Sequence, residues 1–296
     1  MHAPYNFGGL EKKFSRYKNS KIVVLPVPFD KTTTWLKGSN KGPRAIIEAS
    51  RNMELYDIPT DSEVYKKGIF TDQAIKAQSP EAMVNKVYAR TKKFLQDKKF
   101  AVTLGGEHSV SVGAIKAYAE KFSNLSILHL DAHSDRRDSY EGSIYSHASA
   151  MARAQEMVKN IISVGVRSMD SSEIKNIKKD KIFYADDIYN KKDWIRKVTG
   201  KLTKQVYITM DLDVFDPGIM PSTGTPEPGG LGWHQVVELL AAVAKNKDIV
   251  GFDVVELCPN SHNKAPDFLA AKLIYRLLSY IFIPRHKYRG RKLVGE

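Results

Sequence analysis

Apolar residues along this chain follow two rhythms. Short runs rich in Val, Ile and Leu predict strands: KIVVLPVPF at 21–29, FAVTL at 100–104, LSILHL at 125–130, IISVGV at 161–166, KIFYA at 181–185, QVYITM at 205–210 and IVGFDVVEL at 249–257. Longer stretches with helical spacing predict helices in GPRAIIEASRNMEL, PEAMVNKVYARTKKFLQD, SVGAIKAYAEKF, SHASAMARAQEM and GWHQVVELLAAVAKNK. DFLAAKLIYRLLSYIFI predicts an amphipathic C-terminal helix, begun by Pro266 and Asp267 and stopped by Pro284. Strands alternating with helices are the signature of βαβ units. The expected architecture is α/β, a three-layer α/β/α arrangement around a mainly parallel sheet. One domain is expected over 1–296, because neither a repeat nor a long linker interrupts the alternation.

The polar residues gain meaning from where the strands stop. VTL is followed by GGEHS, ILHL by DAHSD, YITM by DLDVFDP and GFDVV by ELCPN. In open α/β sheets ligands bind outside the carboxyl ends of the strands, so these blocks are expected to meet at one edge. Side chains alternate faces along extended chain, which puts Asp131, His133 and Asp135 on one side, and likewise Asp211 and Asp213. With His108 the group holds four carboxylates and two imidazoles. Each block alone has a plainer reading: a His after two glycines is commonly a turn residue, and Asp-Leu-Asp is a weak signal. Together they point to metal, since close carboxylates cannot all stay ionised without cations. Two divalent ions sharing carboxylates, roughly 3.5–4 Å apart, would neutralise the group and activate a water for hydrolysis. Oxygen ligands with a minority of imidazole and no thiolate suit manganese better than a structural zinc.

Composition changes this picture little. The 296 residues, 42% hydrophobic and 27% charged, describe an ordinary globular chain. The net charge of +13 invites a nucleic-acid reading. Most lysines, however, are scattered over helical or loop segments such as KKFLQDKK, where a solvated face is the usual explanation. Only PRHKYRGRKLVGE at the C-terminus is a concentrated basic run, expected to be a mobile tail. Nucleic acid is therefore not the expected partner. The sole cysteine, Cys258, excludes an internal disulfide, suits a reducing cytoplasm and is expected to pack in the interior. The N-terminus lacks the apolar core of a secretory leader, and Lys272 and Arg276 interrupt the most hydrophobic segment, so no membrane span is expected.

With GGEHS, DAHSD and DLDVFDPGIMPSTGTPEPGGL in view, the chain resembles the ureohydrolase family, the manganese-dependent arginases and agmatinases. The resemblance extends to GPRAIIEASRNMELYD early and DVVELCPN late, hence over nearly the whole chain. Two departures are visible, Glu107 where Asp is common and Ser222 where Gly is common, and neither is a ligand position. The resemblance implies an arginase-like fold and two manganese ions (Mn2+) per chain. One would be held by His108, Asp131, Asp135 and Asp211, the other by His133, Asp131, Asp211 and Asp213, with Asp131 and Asp211 bridging. It further implies that Asp135 steadies the attacking hydroxide, that Glu256 pairs with the substrate guanidinium, and that His147 in IYSHASA shuttles a proton. A homo-oligomer, trimer or hexamer, is also implied. His2, His129, His234, His262 and His286 lie outside the motifs and carry no assigned role.

The substrate rests on the loop RRDSYEGSIYSH. Arginases hold the amino-acid head of arginine with an Asn where this chain has Arg137, which argues against arginine. Asp138 and Glu141 could attract a terminal ammonium, whereas Arg136 and Arg137 could greet a carboxylate. The wording YSHAS and PVPFDKTTTW looks most like agmatinases, so cleavage of agmatine to putrescine and urea is the expected reaction, a step of polyamine synthesis. Aminopropylagmatine, guanidino acids and formiminoglutamate are alternatives on the same metals. A basic nucleic-acid-binding protein would hold no manganese, and a single-zinc deacetylase would hold one metal.

Overall fold

The computed structural model describes residues 3–283; the basic run at 284–296, like His2 and His286, lies outside them. Eight strands form one sheet: β1 (Ile22–Val27), β2 (Ile69–Thr71), β3 (Phe100–Gly105), β4 (Leu125–Leu130), β5 (Asn160–Val166), β6 (Ile182–Tyr184), β7 (Gln205–Asp211) and β8 (Asp248–Val255). Their order is β2-β1-β3-β8-β7-β4-β5-β6, and every neighbouring pair is parallel. All carboxyl ends therefore share one edge. The chain leaves β3 and re-enters the sheet at β4, three places away, and β7 and β8 later fill the two positions between.

Helices cover both faces. On one lie α1 (Gly42–Ser50), α5 (Trp194–Lys201), α6 (Trp233–Asn246) and α7 (Ala265–Phe282); on the other lie α2 (Pro80–Gln96), α3 (Ser111–Lys121) and α4 (Ala150–Met157). Alternation along each strand divides the core. Ile22 and Val24 of β1 join Ile46 and Leu273, whereas Val23, Leu25 and Val27 join Met83 and Ile115. In α7 Leu273, Ile274, Leu277 and Leu278 are wholly buried, each contributing about 1.5–3 kcal/mol by leaving water. Pro266 stands in the first turn of α7, and the helix ends where Ile283 turns extended (φ −102°, ψ 140°), as the residue before Pro284 must. No helix among the described residues is long and apolar enough to cross a membrane.

Several boundaries differ from the sequence reading. β2 is absent from it, because three residues at the sheet edge have no period to read. The first predicted helix stops at Ser50 rather than running to residue 55. α5 is also absent from the sequence reading, because its apolar positions Trp194, Ile195 and Val198 span little more than one turn before Gly200. The strand predicted to 257 ends at Val255, which frees Glu256 to turn away from the sheet. Cys258 is half-exposed rather than interior, its thiol 3.6 Å from the Lys37 carbonyl oxygen.

Candidate metal centre

The site forms at the carboxyl ends of four adjacent strands, β3, β8, β7 and β4, where the sheet order switches. His108 comes first. Its loop is threaded between β1 and β8: the Gly106 N–H donates to the Val27 carbonyl (3.0 Å), and the Gly106 carbonyl accepts from the Glu256 N–H (2.7 Å). A Cβ on Gly106 would stand 2.1 Å from the Phe29 oxygen, so only glycine fits. The loop then enters a single 3₁₀ turn with His108 buried at its head. Nε2 of His108 lies 2.9 Å from the Thr209 hydroxyl, which donates to Asp253 (2.7 Å). With that hydroxyl's proton committed, His108 must donate through Nε2–H, and in the neutral imidazole Nδ1 carries the lone pair that a metal would take.

That bare nitrogen is the centre of the site. Nδ1 of His108 is buried and makes no hydrogen bond, yet it faces Asp131 Oδ2 at 3.0 Å, Asp135 Oδ2 at 2.9 Å and Asp211 Oδ2 at 3.5 Å. A second cluster lies beside it: His133 Nδ1 is 2.9 Å from Asp213 Oδ2 and 3.6 Å from Asp131 Oδ1. Asp131 thus offers one oxygen to each group. Buried main-chain donors hold these carboxylates. The His133 N–H donates to Asp131 Oδ1 (2.5 Å), the Asp213 N–H to Asp211 Oδ1 (2.9 Å) and the Ala132 N–H to Asp213 Oδ1 (2.9 Å).

Electrostatics fit a cation. Asp131, Asp135, Asp211 and Asp213 are at most 8% exposed. Burial drives Asp211 well above the usual carboxylate range, reinforced by Asp213 and Asp131. Burial and the Asp131 charge push Asp135 up to about 6. Burial opposes ionisation of Asp131 too, but the surrounding imidazoles of His129, His108 and His133 outweigh it and hold that group well below its ordinary value. The imidazoles respond in kind: against burial, Asp131 and Asp135 raise His108, and Asp213 with Asp131 raises His133 to about 12. The donor set of carboxylate oxygens, two imidazoles and no thiolate is the one a hard or borderline divalent ion prefers.

Around this floor stand the other predicted groups. Asp135 and Glu256 both adopt left-handed backbone (φ 54° and 64°), a strain of about 1–3 kcal/mol each that functional sites commonly carry. Glu256 is buried, and its Oε1 accepts from the His108 N–H at 2.8 Å. Burial and the Glu107 charge keep Glu256 well above its ordinary value, as expected for a carboxylate awaiting a positive partner. His147 heads a 3₁₀ turn before α4; its N–H donates to the Thr32 hydroxyl (2.9 Å), and its ring meets Tyr140 edge to face at 5.9 Å. Burial, with the His133 and His108 charges, lowers His147 to about 4.

Glu107 anchors the loop that supports His147. It accepts from the Thr32 N–H and hydroxyl (2.7 Å each) and from Ser109 (2.5 Å). Of the substrate-loop residues, Asp138 pairs with Lys175 (3.2 Å) and Asn176 (3.3 Å), and Glu141 stays exposed in a turn. Arg137 lies over the Tyr140 ring (4.6 Å) and 3.7 Å from both Asp170 and Glu173. Arg136, 4% exposed, points inward and cannot greet a substrate. His129, given no role from sequence, is buried with Nε2 2.7 Å from Asp131 Oδ2. Its position two residues before Asp131 continues the same alternation and was the available signal.

Comparison with known proteins bears on the family and the fold. The Arginase family model matches residues 20–279. The chain is 34% identical over 297 residues to an N(1)-aminopropylagmatine ureohydrolase of Synechocystis sp., covering 95% of this chain and 97% of that one. It is 36% identical over 271 residues to an N(1)-aminopropylagmatine ureohydrolase of Thermus thermophilus, covering 90% and 92%. The crystal structure of the agmatine ureohydrolase of Thermoplasma volcanium superposes with a TM-score of 0.83 at 31% identity, covering 93% of this chain and 92% of that one.

Proposed function

The chain belongs to the arginase family, and from that premise we propose that it is a binuclear manganese ureohydrolase that cleaves aminopropylagmatine to spermidine and urea. The observation that carries the choice of a cationic tail is the engagement of both loop arginines. Arg136 is buried, and Arg137 is stacked on Tyr140 beside Asp170 and Glu173, so neither is free to receive a substrate carboxylate. Guanidino acids and formiminoglutamate therefore fit poorly. Glu141 on the exposed turn and Glu227, 3.9 Å from His133 Nε2, put negative charge near the mouth instead. The Synechocystis and Thermus relatives are named for the aminopropylated substrate, which favours it over agmatine itself. Agmatine is the second reading, since the Thermoplasma structure is an agmatine ureohydrolase and agmatine lacks only the aminopropyl arm.

His108, Asp131, Asp135 and Asp211 would hold one manganese, and His133, Asp131, Asp211 and Asp213 the other. Bound there, the pair would supply Lewis acidity and lower the pKa of the attacking water. The chain's own residues do the rest. Glu256, its Oε1 fixed by the His108 N–H, keeps Oε2 for the guanidinium. Asp135 accepts a hydrogen bond from the nucleophile and orients it toward the guanidinium carbon. The water oxygen bonds to that carbon and gives up its protons as urea forms, the C–N bond to the polyamine breaks, and His147, neutral near pH 7, relays a proton from solvent to the departing nitrogen. The enzyme is placed in the cytoplasm as a homo-oligomer, a compartment that suits the half-exposed Cys258 thiol.

Urea release from aminopropylagmatine, agmatine, arginine and guanidinobutyrate with added manganese tests the reading. Aminopropylagmatine should give the highest kcat/KM. Agmatine as the best substrate would leave the cationic tail and remove the longer arm. Arginine or guanidinobutyrate as the best substrate would overturn the proposal.

A further inference from the structure

Asp131 reaches toward both ion sites, so its orientation matters more than that of any other carboxylate. A buried hydrogen-bond chain leads to it from the outer side of the site. The Arg136 guanidinium donates from Nη2 to the Ser163 hydroxyl oxygen (2.9 Å); that hydroxyl is 3.0 Å from His129 Nδ1; and His129 Nε2 is 2.7 Å from Asp131 Oδ2. Arg136, Ser163, His129 and Asp131 are all at most 4% exposed. The other guanidinium contacts also run to neutral oxygens, the Ser134 carbonyl (2.9 Å) and the Gln155 amide (3.2 Å), while the Arg136 main-chain N–H donates to Glu173 (2.7 Å).

Chemistry fixes the direction of every bond in that chain. An ionised carboxylate only accepts, so His129 Nε2–H must donate to Asp131, whose carboxyl is held well below its ordinary value. In the neutral imidazole Nδ1 is then the acceptor, and Ser163, which accepts from the guanidinium, gives it its single O–H. This is the opposite tautomer from His108, whose Nε2–H donates to Thr209 and whose Nδ1 is left bare. Two imidazoles 5.4 Å apart are thus set for opposite duties by the hydroxyl each one meets.

We infer that Arg136, Ser163 and His129 form a relay of positioning residues that locks the bridging posture of Asp131 and thereby sets manganese affinity. His129 is a donor to the bridge and not itself a metal ligand, because its Nε2 carries the proton given to Asp131, a tautomer that the Ser163 hydroxyl, turned toward Nδ1 by Arg136, supports. The inference rests on the metal reading above. Asp131 is held at both oxygens, by His129 at Oδ2 and by the His133 N–H at Oδ1, so loss of the relay leaves it free to rotate toward one ion.

The test uses Ser163→Ala and Arg136→Met in the full-length chain. Manganese uptake is read by equilibrium dialysis with elemental analysis, and the His129 tautomer by 15N spectra of the zinc-loaded, diamagnetic protein. Wild type should show His129 protonated at Nε2. Both variants should shift it toward a tautomer mixture and weaken manganese binding by about 10–100-fold, the range for a partner of a metal ligand. Thermal unfolding of each metal-free variant checks folding, and the two variants perturb different links, so one that fails to fold leaves the other as the test. Unchanged tautomer and unchanged affinity in a folded variant would overturn the relay. Failure of the metal reading would show differently: wild type would bind no manganese, and the relay would fall with it.

Discussion

One stretch of chain, residues 131–147, contributes to both the floor and the rim of this site, yet the two are built on different rules. At the floor the carboxylates are buried, set by strand alternation and pinned by main-chain N–H groups. At the rim the side chains are exposed and settle on one another: Asp138 on Lys175, each 67% exposed, and Arg137 on Tyr140. Floor groups have no alternative position, whereas rim groups have several within reach. Chemistry is placed where the backbone leaves no choice, and selectivity where it leaves some.

The sharpest attack on that contrast is Asp131→Asn. The amide keeps the volume but cannot offer an anionic oxygen to both clusters, and its NH2 would face either His129 and His108 together, at the place of Oδ2, or the His133 N–H at the place of Oδ1. Urea release should fall by more than the roughly 10⁴-fold ceiling of a single acid–base group, and elemental analysis should find less manganese per chain. His147→Asn comes next. It should lower kcat by about 10²–10⁴-fold while metal content stays at the wild-type level, because His147 bonds to Thr32 and not to the carboxylates. Loss of metal in this variant would mean that the floor extends further than its geometry indicates.

The third test turns on pH. Without metal His133 is raised to about 12 and His108 well above its ordinary value, both against burial and through their carboxylate neighbours, so both imidazoles carry protons near neutrality. Manganese must displace them. Loading should release at least two protons, one from each imidazole with Asp211 able to add another, and apparent affinity should fall as pH falls, by about 100-fold or more per pH unit for both ions together. Below about pH 6 Asp135 adds a further proton in competition. Calorimetry in buffers of different ionisation enthalpy reads the proton count directly. Release of none would mean that the imidazoles are already neutral.

The same division explains what the sequence could disclose. Asp131, His133 and Asp135 were legible because a period of two survives past the end of β4, and four strand ends carried polar blocks at once. His129 obeys that period but sits inside the apolar run LSILHL, where a buried histidine looks like core. The Glu107–Thr32 bridge joins residues 75 apart, and no local pattern announces it. Arg136 and Arg137 look equivalent in the sequence. The left-handed turn at Asp135 precedes them, after which one points into the interior and the other lies along the rim. Strands in the middle of the sheet were readable from their apolar runs; β2, three residues at an edge, was not.

The smallest effect belongs to the rim, and it tests the contrast from the other side. Glu141→Gln and Asp138→Asn each remove one exposed charge near the proposed path of a polyamine tail. Exposed charges act weakly on a solvated partner, so each change should raise KM for aminopropylagmatine by about fivefold or less and leave kcat alone. Glu141 should matter more, because the Asp138 carboxylate already rests on Lys175 at 3.2 Å and on Asn176. Both effects should shrink at high salt, where screening shortens the reach of surface charge. Steady-state kinetics at low and high salt measure all of this at once. A salt-resistant loss of 100-fold or more would show that the tail is held in a dry, preorganised pocket, and the rim would then be built by the rules of the floor.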